Sequence, residues 1–245
     1  DKPKFVSLAF INIVVAANAG GAFSPFGDIT TLMVWQSGHV DFFGFFSLFI
    51  PAMINFLVPA FIMNFAVPNE TPAASDAVVK LEKGALIICL LFLCTIMTAV
   101  SFEQLLHLPP FLGMMMGLSY LFFFSYYLKI SAHRSTDTVT EFNIFNNVAR
   151  AEWDTLLFFF GVIFCVGGLG TIGYLAYVSH FLYEGLGATN ANIIAGLLSA
   201  VVDNIPVMFA ILTMSPDMDT YQWLLVTMTA GVGGSLLSVG SAAGV

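Results

Sequence analysis

Apolar runs of membrane-spanning length alternate with short polar segments along this chain. A bilayer core of ~30 Å needs about 20 residues of helix, and the pattern predicts such spans throughout. Span a covers about residues 5–35, but "NAGGAFSPFGDITT" (18–31) interrupts it. Span b follows the turn "QSGHVD" (36–41) and covers 42–67. Span c covers 84–102, span d 111–130 and span e 155–177. Polar connectors lie at 68–83 and 131–154. In the second, Phe142, Phe145, Val148 and Ala149 fall on one helical face, the pattern of a helix lying in the interface.

The run 191–214 is different, because "DNIP" (203–206) splits it into two halves too short to cross. Two half-length helices meeting at a polar break predict a re-entrant hairpin. Irregular backbone at that depth is tolerated only against protein or a wet cavity. Span f begins near Tyr221 and is interrupted by "GVGGSLLSVGS" (231–241). The expected organisation is a discontinuous helix over 1–35, helices b to e over 36–190, the hairpin over 191–214 and a second discontinuous helix over 215–245.

The two interrupted spans match each other. At a constant offset of 213 residues, Gly20 lies over Gly233, Gly21 over Gly234, Gly27 over Gly240 and Asp28 over Ser241. All Lys and Arg (Lys2, Lys4, Lys80, Lys83, Lys129, Arg134, Arg150) precede span a or fall in or beside the b–c and d–e connectors. The positive-inside rule assigns that side to the cytoplasm, which makes spans a and f antiparallel. An inverted repeat with broken helices at equivalent places is a plan of secondary transporters.

Composition agrees with the pattern. The chain is 58 % hydrophobic and 9 % charged, against about 25 % charged in soluble domains. The fold class expected is an all-α polytopic membrane protein, with the lipid bilayer as its first partner. A net charge of -8 leaves no basic surface for nucleic acid. Cys89, Cys94 and Cys165 lie in apolar runs without disulfide or metal spacing. The four histidines sit in turns and connectors and form no paired-ligand motif for a transition metal. No phosphate loop, dinucleotide fingerprint or nucleophile elbow is present, so neither enzyme chemistry nor a cofactor is expected. An Asp start and the abrupt "SAAGV" end lead us to expect an internal piece of a larger transporter.

The chemistry therefore concentrates in the breaks. Gly20, Gly21, Pro25 and Gly27 interrupt the first helical ladder; Gly233, Gly234 and Gly240 do the same in the second. Freed carbonyls, hydroxyls and carboxylates are the oxygen ligands that Na⁺ or Li⁺ requires. Asp28 is the carboxylate of the first break, and an ionisable group inside a span is a functional candidate. Asn18, Thr30 and Thr31 stand around it. The bland alternative is that Asp28 only caps a half-helix. In the second break Asp203 and Asn204 occupy the hairpin tip, with Ser199 four residues before on the same expected face. Ser235, Ser238 and Ser241 recur along the facing stretch, where small-residue packing is the competing explanation.

"NIVVAANAGGAFSPFGDITTLMVWQ" (12–36), "SAVVDNIP" (199–206) and "GVGGSLLSVGSAAGV" (231–245) closely resemble the NhaD-type bacterial Na⁺(Li⁺)/H⁺ antiporters of the ion-transporter superfamily. "EWDTLLFFFGVIF" (152–164) is similar to them as well. The resemblance implies a multi-pass inner-membrane protein of two inverted repeats, usually assembled as homodimers. It implies that the transported cation, Na⁺ or Li⁺ exchanged for H⁺, is held by Asn18, Asp28, Thr30, Thr31, Ser199, Asp203, Asn204, Ser238 and Ser241. It also implies a further hairpin upstream of span a, absent here. The alternatives are a Na⁺-coupled carboxylate or other anion transporter of the same superfamily, and a passive channel or structural membrane subunit. Aspartates in both clusters, with no Lys or Arg in any break, speak against an anion site.

Overall fold

The computed structural model describes residues 3–67, 84–134 and 148–237. Most of both polar connectors, and the sequence candidates Ser238, Gly240 and Ser241, lie outside these residues. Every described regular element is helical, and five helical stretches are long and apolar enough to cross a membrane. The chain divides into two compact units, one of Asp1–Ala74 with Thr155–Val245 and one of Ser75–Asp154.

The smaller unit is a helical hairpin of α4 (Ala85–Leu106) and α5 (Pro110–Arg134). At 22 and 25 residues, these helices run about 33 and 37 Å. His107 ends α4 in the left-handed region at φ 53°, and Pro110 opens α5, so the reversal takes only a few residues. Gly113 and Gly117 lie directly against Ala99 and Thr95, which lets the two backbones approach closely.

The larger unit begins with α1 (Pro3–Gly21), followed by a non-helical turn and α2 (Ile29–Gln36). The interruption of span a is thus confined to residues 22–28, narrower than the polar stretch that predicts it. A 3-10 segment (Phe42–Leu48) leads into α3 (Phe49–Asn64), which packs on α1. Trp35 packs edge-on against Phe26 and Phe42 with centroids 5.5 and 5.6 Å apart, pinning the turn to α2 and the 3-10 segment.

α6 (Trp153–Thr171) has no buried residue, and its surface is almost wholly apolar. Gly173 at φ 83° separates it from α7 (Tyr174–Ser179), which continues into a π turn over His180–Gly185. Span e is therefore a full helix plus a short, offset continuation.

Residues 191–214 form two short helices, α8 (Ala188–Ser199) and α9 (Asn204–Met214), joined by a break at 200–203. At 12 and 11 residues they run about 18 and 16 Å, well short of a bilayer core. α10 (Thr220–Gly233) follows, its N-terminus capped by the Asp219 carboxylate, which accepts from the Gln222 amide at 2.8 Å. α10 ends at Gly233, so span f breaks near the start of the predicted interruption.

α8 and α10 run parallel along a seam of small and polar residues. Thr229 Oγ1 donates to the Asn192 carbonyl at 2.8 Å, and Ser199 Oγ donates to the Ala230 carbonyl at 2.6 Å. Gly196 and Gly233 meet in the same seam. A Cβ on Gly196 would lie 2.8 Å from Thr229 Cβ, and one on Gly233 would collide with the Gly196 carbonyl. Fully buried Asn192 ties the first turns of α8 and α10 together. Its Nδ2 donates to Gln222 Oε1 at 2.9 Å, and its Oδ1 accepts from the Tyr183 hydroxyl at 3.2 Å.

Candidate functional site

The first break closes on itself through two glycines. A Cβ on Gly21 would lie 2.8 Å from the Gly27 carbonyl oxygen, and one on Gly27 would lie 2.8 Å from Gly21 Cα. Only residues without side chains let the chain leave α1 and return this tightly. Pro25 is fully buried inside the turn. Thr31 locks the turn: its hydroxyl reaches the Ser24 carbonyl at 2.9 Å and the Asp28 carbonyl at 2.7 Å. Gly20 is a different case, since among the described residues nothing lies within 4 Å of the side chain it lacks.

This turn places Asp28 just before α2, at its N-cap position with extended backbone (φ −144°, ψ 154°). The carboxylate makes no capping hydrogen bond to α2. Instead Oδ2 accepts from Thr30 Oγ1 at 2.8 Å and from Asn204 Nδ2 at 3.2 Å. Capping alone therefore does not account for Asp28. Thr30 is fully buried and Asn204 nearly so, while Asp28 is half-buried.

Asn204 opens α9, and Asp203 stands before it in the N-cap position, again without a capping hydrogen bond. The half-buried Asp203 carboxylate lies beside the backbone N–H groups of Asn204 and Ile205, within electrostatic reach of Asp28. The 200–203 break thus brings the Asn204 amide against the Asp28 carboxylate at the start of α2. Both aspartates sit at helix N-termini.

The third wall is α10. At Gly231 an added Cβ would lie 3.2 Å from Asp28 Oδ2 and 3.3 Å from Thr30 Oγ1. α10 therefore passes its bare backbone against the carboxylate. The site gathers the break after α1, the break between α8 and α9, and the last turn of α10.

The remaining predicted residues fall into separate roles. Asn18 is buried in the last turn of α1. Ser199 does not share a continuous helical face with Asp203, because α8 ends at Ser199; its hydroxyl faces the Ala230 carbonyl. Ser235 Oγ donates to the Val232 carbonyl at 2.7 Å, within the turn that ends α10. Gly234 takes the C-cap position there in right-handed helical backbone (φ −57°, ψ −21°). Sequence reasoning missed Asn192, whose signal was its place in a 192–196–199 seam of polar and small residues. It also missed Gly231, overshadowed by the glycine pair that follows it. Among the described residues no cluster of three His, Cys, Asp or Glu could hold a transition metal.

Apolar helices interrupted in mid-course, with carboxylates and amides gathered at the interruptions, define a polytopic membrane protein of the transporter class. The chain belongs to the citrate transporter family, whose model (CitMHS) matches residues 2–231. It is 57 % identical over 264 aligned positions to the Na⁺/H⁺ antiporter NhaD of Vibrio parahaemolyticus, covering 100 % of this chain and 64 % of that protein. The Halomonas elongata antiporter of the same name is 54 % identical, over 99 % of this chain and 53 % of its own length. Sodium/proton antiporter 1 of Arabidopsis thaliana is 30 % identical, over 95 % of this chain and 42 % of its own. The chain thus spans between about half and two thirds of the bacterial relatives it matches. No solved structure matches it.

Proposed function

We propose that this chain forms the ion-binding core of a bacterial inner-membrane Na⁺/H⁺ antiporter. The carrying observation is the Asp28 carboxylate, turned away from its own helix end and shared between Thr30 and Asn204. In this reading Na⁺ or Li⁺ is the cargo, held by Asp28 and Asp203 with the neutral oxygens of Thr30 and Asn204. Each carboxylate binds the cation when ionised and releases it when protonated. Competition between one cation and protons for the same oxygens gives exchange without both being bound at once. α8 and α9 form a re-entrant hairpin, and the α1–α2 and α10 breaks are inverted counterparts, an arrangement that suits alternating access. We extend the reading to a homodimer in the membrane.

The family description favours a second reading, import of a carboxylate anion, and the converging N-termini of α2 and α9 would suit one. Two aspartates already occupy those termini, and an incoming anion would meet their charge. Proton-coupled cation exchange fits this arrangement better.

The test is Asp28→Asn in the full-length protein. Asn keeps an oxygen that Thr30 and Asn204 can use, but it has no charge and takes up no proton. Everted vesicles carrying a pH-sensitive dye should lose the response to NaCl and LiCl, with the protein still present in the membrane. Retained Na⁺/H⁺ exchange would remove Asp28 from the mechanism. Transport of a carboxylate without Na⁺/H⁺ exchange by the unaltered protein would establish the second reading.

A further inference from the structure

Gly231 differs from the other close-packed glycines of its unit in what surrounds it. Glycines 196 and 233 make room for the neighbouring helix: their absent side chains would strike Thr229, the Gly196 carbonyl or Ser199. Those positions explain themselves as packing. Among the described residues, and apart from α10's own backbone, the heavy atoms within 4 Å of an added Cβ at Gly231 are Asp28 Oδ2, at 3.2 Å, and Thr30 Oγ1, at 3.3 Å. These two oxygens are themselves 2.8 Å apart and form one wall. The buried backbone of α10 forms the opposite wall. A helix interior disfavours Gly by about 1 kcal/mol relative to Ala, and here the close approach is to two oxygens at the start of α2 rather than to the carbon of a packed neighbour.

We propose that Gly231 determines which monovalent cation the Asp28 site accepts, by leaving open the space beside the Asp28–Thr30 oxygen pair. This rests on the reading of Asp28 as a cation ligand. A cation that has shed part of its water must approach both oxygens from a side free of carbon. A methyl group at position 231 fills that side, its carbon 3.2 and 3.3 Å from the two oxygens and so closer than ordinary van der Waals contact. It crowds Na⁺, and K⁺ more so, while the smaller Li⁺ still fits. The gap is thus a size gauge whose far wall is backbone, and backbone in a helix does not swing away as a side chain does. One carbon atom in a fitted pocket commonly discriminates by 10-fold or more.

The experiment compares unaltered, Gly231→Ala and Asp28→Asn full-length proteins in everted vesicles, titrated with NaCl, LiCl and KCl. For Gly231→Ala the half-saturating Na⁺ concentration should rise by roughly tenfold and that for Li⁺ by much less. Preference would move toward Li⁺ with a similar maximal rate. Thermal unfolding of the purified proteins gives a second readout, since a bound ion raises the melting temperature. Stabilisation by NaCl should shrink in Gly231→Ala, while stabilisation by LiCl persists. Unchanged Na⁺ and Li⁺ titrations, equal weakening for both ions, or failure to accumulate in the membrane would each overturn the proposal. Exchange surviving in Asp28→Asn would instead overturn the cation-site reading beneath it. Loss in Asp28→Asn together with an unaltered ion preference in Gly231→Ala would defeat this proposal alone.

Discussion

Asp28 and Asp203 stand at the same station of two different helices, each just ahead of the first turn and neither capping it. Both aspartates were legible because an ionisable group in an apolar run has few ordinary explanations. Their partners were legible only in part. Thr30 and Asn204 lie next to an aspartate in sequence, whereas Gly231 acts through an oxygen about 200 residues away. No local pattern marks it. His39 is a comparable case on the polar side. It lies in the turn after α2, yet its ring stacks on Trp223 of α10 with centroids 3.8 Å apart and planes 9° off parallel. Burial there holds its pKa below the ordinary value of 6.5. The fold therefore favours the neutral ring. This contribution to stability is whole above pH 6.5 and is lost as pH falls below it, because the unfolded chain takes up the proton first. Thermal melts of the full-length protein from pH 8 to 5 should show it: His39→Gln should flatten the decline seen in the unaltered protein. Parallel declines would show that the stack is indifferent to charge.

At the scale of elements, the decisive contact is the parallel seam between α8 and α10. It sets the height of the 200–203 break against the last turn of α10, and through that the distance from Asn204 to Asp28. Sequence reasoning anticipated the half-length of α8 and α9 from "DNIP", since length and interruption are local properties. Seam register is not local: it depends on Gly196, Ser199 and Gly233 fitting one another. Hence Ser199 emerged as a helix-to-helix hydrogen bond where a place on Asp203's face was expected. Gly196→Val should overpack the seam, since its Cβ would already stand 2.8 Å from Thr229 Cβ. The expected loss is about 1–3 kcal/mol, read as a lower melting temperature in detergent. A melting temperature equal to that of the unaltered protein would mean the seam yields freely.

For the whole molecule, the hydropathy pattern anticipated nearly every long helix. The one-sided placement of Lys and Arg predicts that a cysteine at Leu186 is labelled from outside intact cells and one at Ala151 only after permeabilisation. Labelling of Ala151 from outside with Leu186 protected would reverse the topology. What charge and hydropathy left open was how the breaks meet, because that depends on contacts between distant parts of the chain. The hydrogen bond from Asn204 to Asp28 joins residues 176 positions apart, which gives the site a birth order. Translation at about 5–20 residues per second separates the two residues by roughly 9–35 s, given that sequence distance. For that interval Asp28 is already made and can draw only on neighbours such as Thr30. The site is therefore completed only after Asn204 has been made. A ribosome paused between α2 and α9 would hold a chain whose central carboxylate still lacks its amide.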